Sequence, residues 1–161
     1  MALQRAEVHQ TLNRILEEES RLLVELEALL AQETAILRQD DVAEITAIGS
    51  TRQRCVDALM RLDNERLDTC RMLSFGQGRG AVARLYGWSD PSGGLNSMWL
   101  ANLAIARRCK KLNDSNGAIV SAKLSRVQKL LMVLRGTSPP PVYNSRGSRY
   151  GSLGARDFGR A

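Results

Sequence analysis

A single histidine, His9, limits the chemistry open to this 161-residue chain. No second histidine and no Cys-x-x-Cys spacing accompany it, so neither a metal site nor a nucleophile-base-acid triad can be assembled around it. Cys55, Cys70 and Cys109 are odd in number, widely separated and set in helix-like segments. They read as small buried hydrophobes in a reducing compartment, not as a disulfide framework. Glu17, Glu18 and Glu19 point around a helix, as do Glu25 and Glu27, so paired-carboxylate hydrolysis has no converging acids. Gly76, Gln77, Gly78, Arg79 and Gly80 come nearest to a phosphate loop, since glycines expose backbone N–H groups and Arg79 adds charge. No strand precedes them and no Lys-Ser or Lys-Thr pair follows, so they are expected to form a turn between helices. The cluster Arg107, Arg108, Lys110, Lys111 leaves three readings open: a complement to acids elsewhere in the chain, a protein partner, or nucleic acid phosphates. No catalytic residue, cofactor or metal is expected, and the chain is read as not an enzyme.

The elements that position these residues are helical. Val8, Leu12, Ile15, Leu22, Leu26, Leu29 and Ile36 recur at three-and-four spacing, with Glu19 and Glu33 occupying two slots of the same seam. Leu16, Leu23, Leu30 and Leu37 form a second stripe beside it, seven residues apart, so the apolar face is wide enough for more than one neighbouring helix. The two glutamates either snorkel at an edge or face a third helix or a partner, and spacing alone does not choose. Near Gln39 and Asp40 the helix loosens, and Asp41 with Glu44 makes a capping box that starts a second helix. Ile45, Ile48, Cys55, Leu59, Leu62 and Leu73 line that second helix, flanked by Val56 and Leu67.

Turns are expected at Gly76–Gly80 and across Tyr86–Asn96, where Asp90, Pro91, Ser92, Gly93 and Gly94 cluster. Between them, one or two helical turns from Ala81 to Tyr86 would cap the bundle, with Trp88 as its apolar plug. A third long helix spans about Leu95 to Leu134. Its inward positions read Trp99, Leu103, Ala106, Asn113, Asn116, Val120, Leu124, Val127, Leu131 and Leu134. The two asparagines, followed by Gly117, stand where the stripe asks for apolar residues. They predict an interhelical hydrogen-bonding layer or a close backbone approach at Gly117. Arg135 and Gly136 stop the helix.

The fold class is therefore all-α: an elongated antiparallel three-helix bundle, built from a coiled-coil hairpin and a third helix, with a short helical cap. Residues 1–136 form the bundle domain. Residues 137–161 hold Pro139, Pro140, Pro141, four glycines and alternating arginines, and are expected to be a flexible tail with few large hydrophobes.

Composition agrees. Hydrophobic residues make up 43% and charged residues 25%, which fits a folded helical protein and argues against wholesale disorder. Aromatics, at 4%, are too scarce to build a stacking groove for single-stranded nucleic acid. The net charge of +6 invites an acidic partner until it is resolved along the chain. Residues 1–73 carry 9 basic and 14 acidic side chains, residues 74–136 carry 10 and 2, and residues 137–161 carry 4 and 1. An acidic hairpin thus precedes a basic helix and a basic tail. No apolar run approaches the ~18 residues of a membrane span, and the N-terminus has acids where a signal peptide would be apolar. No membrane insertion is expected, and the chain is placed in the cytoplasm.

The stretch Leu22-Leu23-Val24-Glu25-Leu26-Glu27-Ala28-Leu29-Leu30-Ala31-Gln32-Glu33, then Ala35-Ile36-Leu37 and Asp40-Asp41, resembles the FlgN family of flagellar export chaperones. Asn113-Asp114-Ser115-Asn116-Gly117-Ala118-Ile119-Val120 looks like that family's Asn-x-x-Asn-Gly segment. It is followed by Gln128 to Gly136 with its Leu-Arg-Gly, and by a Tyr143 to Gly147 element, so the resemblance covers nearly the whole chain. It implies an elongated three-helix antiparallel bundle that binds the hook-filament junction proteins FlgK and FlgL. It also implies that the chaperone prevents their premature assembly and delivers them to components of the type III export apparatus. Carried over by position, the client-binding region implied is Val127, Leu130, Leu131, Leu134 and Tyr143. Tyr150 joins it as an aromatic anchor of the tail, and Asn113, Asn116 and Gly117 are implied as the structural motif. The alternatives are a coiled-coil scaffold, favoured by the long hairpin, and an RNA-binding helical protein, motivated by Arg107 to Lys111.

Overall fold

A computed structural model describes residues 2–39 and 41–136. Four helices account for it: α1 (Ala2–Gln39), α2 (Val42–Met72), α3 (Arg79–Ser89) and α4 (Gly94–Leu134), with no strand among the described residues. The chain divides into two units, Met1–Val120 and Ser121–Ala161.

Both stripes of α1 go inward. Leu12, Ile15, Leu16, Leu22, Leu23, Leu26, Leu30, Ile36 and Leu37 are all buried. Two stripes have two neighbours, since α2 and the first part of α4 both contribute to the core clusters that these residues join. The central core accordingly joins Leu22, Leu26 and Leu30 of α1 to Cys55 and Leu62 of α2 and Cys109 of α4. The direction of each helix follows from its partners. Glu19 meets Arg66 and Glu33 meets Arg52, so numbers fall on α2 as they rise on α1 and the hairpin is antiparallel. Leu16 meets Asn102 and Leu30 meets Asn116, so this part of α4 runs parallel to α1.

Capping at the hairpin follows the sequence signal. Asp41 Oδ1 accepts from the Glu44 backbone N–H at 3.0 Å, satisfying one of the donors a helix start leaves open. After α2 the backbone turns through positive φ at Ser74, Gly76 and Gly78, and Arg84 clamps the turn by donating to the Phe75 carbonyl at 2.9 Å. Gly76 and Gly78 lie in this turn, as expected, whereas Arg79 and Gly80, also expected there, open the next helix.

The cap is larger than the sequence suggests. Helix α3 runs 11 residues, to Ser89, where turn chemistry was expected from Tyr86 onward. Packing overrides Gly87's weak helix propensity here. Leu85 and Tyr86 have no exposed surface, and the Tyr86 ring meets Trp99 edge-on at 5.5 Å. These two residues plug the end of the bundle. Trp88 is only half-buried, lying against Phe75 with Arg5 over its face. The turn proper is confined to residues 90–93. Asp90 organises it by accepting from the Ser92 hydroxyl and the N–H groups of Ser92 and Leu95.

Cys55, Cys70 and Cys109 are unpaired and buried. Burial raises the pKa of each thiol, which suppresses the reactive thiolate and suits a packing role.

Candidate functional site

The seam glutamates face the third helix. Asn102 Nδ2 donates to the Leu16 carbonyl at 3.0 Å and to Glu19 Oε2 at 2.9 Å. Two heptads on, Asn116 Nδ2 donates to the Leu30 carbonyl and to Glu33 Oε2, both at 3.0 Å. Each amide must present its nitrogen, because a carbonyl and a carboxylate can only accept. From α2, Arg66 Nη2 meets Glu19 Oε1 at 2.5 Å and Arg52 Nη1 meets Glu33 Oε2 at 3.3 Å. The result is one Glu-Arg-Asn triad, with one member from each helix, repeated after 14 residues. Midway between the two, Leu26 occupies the glutamate slot and Cys109 Sγ points at the Leu23 carbonyl, 3.6 Å away.

The two layers differ in burial. The Arg66 side chain is 6% exposed and Glu19 12%, whereas Arg52 is 32% exposed against 8% for Glu33. Burial disfavours the charge on Arg66, but Tyr86, Glu19 and the flanking Asp63 hold its pKa above the ordinary value. The upper layer closes differently. Arg52 also donates to Asn113 Oδ1 at 3.2 Å, and the Thr34 hydroxyl lies 2.6 Å from Asn116 Oδ1.

A trough of about 420 Å³ runs between α2 and α4, lined by Leu26, Leu59, Met60, Leu103 and Ala106. Arg66 lies at its polar end with both Nη groups engaged by carboxylates, so it offers no open charge to a small anionic ligand. The basic cluster behaves in part as a complement to the hairpin. Arg108 makes a two-point contact with Glu27 of α1, at 2.6 and 3.1 Å, and this hydrogen bonding lowers the Glu27 pKa. Lys110 pairs within its own helix with Asp114, and Arg107 and Lys111 are exposed.

The other candidate surface lies on the second unit. Leu124, Val127, Leu130, Leu131 and Leu134 are all exposed, from 43% at Leu131 to 82% at Leu134. The inward positions expected for Leu124, Val127, Leu131 and Leu134 are therefore outward. Seam spacing continues past Asn116, but spacing does not say whether a neighbour is present to cover it. With Val133, also exposed, six large apolar side chains on one short stretch exceed the scattered exposure common on folded surfaces.

The sequence-derived residues are thus distributed over both surfaces. Asn116 is buried in the upper triad, Asn113 is exposed and touches Arg52, and Gly117 has open space where a Cβ would stand, so no close backbone approach occurs there. Val127, Leu130, Leu131 and Leu134 share the exposed helix, while Tyr143 and Tyr150 lie outside the described residues. Sequence reasoning passed over Asn102, Arg52 and Arg66. A signal for them exists: Asn102 and Asn116, Arg52 and Arg66, and Glu19 and Glu33 are each 14 residues apart.

No helix among the described residues is long and apolar enough to cross a membrane. Residues 1–151 match a family model described as FlgN protein. No curated protein and no solved structure matches the chain.

Proposed function

Since the chain belongs to the FlgN family of flagellar export chaperones, we propose that it binds the hook-filament junction proteins FlgK and FlgL in the cytoplasm and delivers them to the type III export apparatus. One observation carries the reading: a contiguous exposed apolar face at the end of α4, from Leu124 to Leu134. Water contact with such a face is unfavourable at roughly 25 cal/mol per Å² of apolar surface, so covering it with a client segment drives association. Val127, Leu130, Leu131 and Leu134 make the contact, and Tyr143 and Tyr150 add aromatic anchors to it. An occupied face keeps the client's own assembly surface from polymerising early.

The remainder of the molecule serves as the scaffold: a three-helix bundle of α1, α2 and α4 with α3 as its cap. No step in this cycle makes or breaks a covalent bond in the chaperone.

Calorimetry with purified FlgK and FlgL homologues tests the reading, using the full chain, a chain ending at Gly136, and Leu131→Asp. The full chain is expected to bind at least one junction protein, Leu131→Asp to lose about tenfold or more in affinity, and the shortened chain to lose less. Absence of binding by the full chain to either protein refutes the proposal. Unchanged affinity after truncation removes only the aromatic anchors.

A further inference from the structure

We infer that the trough between α2 and α4 seats one amphipathic helix from a second protein, acidic along the flank that meets α4 and basic along the flank that meets α2. The surface belongs to the unit Met1–Val120 and shares no residue with Leu124–Leu134, so the inference stands apart from the choice of client.

Two hollows join to make the trough. The one of about 420 Å³ and a second of about 430 Å³ share Leu23, Leu26, Val56 and Ala106, and together they reach from Trp99 to Asn113 along α4. That stretch spans about 21 Å at ~1.5 Å per residue, the length of roughly four helical turns. Buried residues of α4 form a single stripe that advances by seven, Leu95, Asn102, Cys109 and Asn116. Beside it Trp99, Leu103, Ala106 and Lys110 repeat at four, three and four, and on α2 Val56, Met60 and Asp63 repeat at four and three. Each helix therefore carries a second a/d seam, and the two seams are the walls of the trough. Their cover is incomplete: Met60 is 60% exposed, and Trp99, Leu103 and Ala106 are half-buried.

Shape and backbone chemistry select a helix. A trough walled by two helices is filled by the convex surface of a third. A second copy's trough is equally concave and would leave the floor at Leu23 and Leu26 uncovered. Neither wall offers a strand edge, so an extended segment would lie there with its N–H and C=O groups unpaired, whereas a helix satisfies its own.

Charge selects among helices. On the α2 wall the Asp63 side chain is 56% exposed and meets Arg66 through Oδ1. Asp57 stands outward of Met60 and accepts from the Gln53 amide at 2.9 Å, a neutral partner that leaves its charge in place. On the α4 wall the Lys110 side chain is 76% exposed, and its pair with Asp114 lies at the surface. Arg107 stands outward of Leu103 and is exposed. Arg54 and Arg61 lie about 100° or more around α2 from Met60, away from the trough. Arg52, at its upper end, is engaged by Glu33 and Asn113. The α2 border is thus acidic and the α4 border basic, and a helix with one flank of each sign meets both favourably.

The full chain is titrated with synthetic helical peptides of ~20 residues that share one Leu/Ala stripe and carry Glu on one flank and Lys on the other, Glu on both, or Lys on both. The mixed peptide is expected to bind about 3–10-fold tighter than either uniform peptide in ~50 mM salt, with the margin shrinking near ~500 mM. Met60→Asp at the wall and Ala106→Trp, which fills the floor, should each weaken the mixed peptide about tenfold or more with helical content retained. In the double variant Arg107→Glu, Lys110→Glu both borders are acidic, and the Lys peptide should become the tightest. Equal affinity for the three peptides, unchanged binding by both wall and floor variants, or an unchanged order in the double variant overturns the inference. A concentration-dependent dimer that excludes the mixed peptide overturns it too, as does loss of the peptide in Leu131→Asp.

Junction-protein titrations run beside the peptides separate the two readings. If Met60→Asp loses the junction protein together with the peptide, the trough is the client's own seat and the inference of a second protein fails. If it loses the peptide and binds the junction protein unchanged, the two surfaces are independent and the inference stands. If no junction protein binds the natural chain while the mixed peptide does, the choice of client fails and the inference stands.

Discussion

The lower polar triad allows its energetics to be worked from burial. In Arg66→Met, the Glu19 carboxylate keeps only the Asn102 amide, in a site where its side chain is 12% exposed and the lost guanidinium was 6% exposed. Removing one partner of a buried ion pair strands the other charge, which costs about 3–5 kcal/mol. The additional Asp63 contact contributes little, about 0–1 kcal/mol, because that carboxylate is 56% exposed. Arg52→Met in the upper triad should cost less, about 1–2 kcal/mol, since water already reaches a guanidinium that is 32% exposed. Replacing the whole lower triad by Glu19→Leu, Arg66→Met and Asn102→Leu strands nothing. That variant should lie within about 1 kcal/mol of the natural protein or exceed its stability by about 1–4 kcal/mol. Urea unfolding followed by helical circular dichroism reads all three, and with a slope near ~1.5 kcal/mol/M the Arg66→Met midpoint drops by about 2–3 M. The reasoning is refuted if Arg66→Met costs under ~1 kcal/mol, if Arg52→Met costs as much, or if the triple replacement is as damaging as the single one.

Four other perturbations follow from the turns, the helix cap and the interior of α2. Asp90 has its pKa lowered from the ordinary 3.8 to about 2 by the Ser92 hydroxyl and the N–H groups of Leu95 and Ser92. Its folded value lies below its unfolded one, so its stabilisation is present above about pH 4 and vanishes as pH falls through about 2. Denaturation midpoints of Asp90→Asn should therefore be flatter over that window than those of the natural protein, and parallel curves would contradict the assignment. Gly93 sits at φ +85° with open space around it, so Gly93→Ala should destabilise by about 1–2 kcal/mol from backbone strain alone. Gly49 lies inside α2 with equal space, and Gly49→Ala should stabilise by about 0.5–1 kcal/mol in the same urea assay. Asp41→Ala removes the side-chain acceptor of the Glu44 N–H and should cost about 1 kcal/mol, seen as a lower midpoint with the unfolding slope unchanged.

Periodicity is a local property of helices, and the sequence alone determined what depends on it. The seven-residue stripes from Leu12 to Leu37, the Asp41 cap, the start of α4 near Leu95 and its stop at Gly136 all rest on contacts within a few residues. Interactions between distant residues decided the rest. Glu19 and Glu33 occupied seam slots with no sign in α1 itself of what they faced, because their partners stand on α2 and on α4, more than 80 residues away in the latter case. Helix α3 outran its turn residues because Tyr86 is buried against Trp99, a contact that exists only after α4 folds back. The same apolar spacing runs along α4 on both sides of Asn116, covered before it and exposed after it. Spacing states which side chains share a face of a helix. Whether another helix lies against that face depends on the path of the whole chain, and here that path covers α4 up to Asn116 and leaves the apolar side chains from Leu124 to Leu134 exposed.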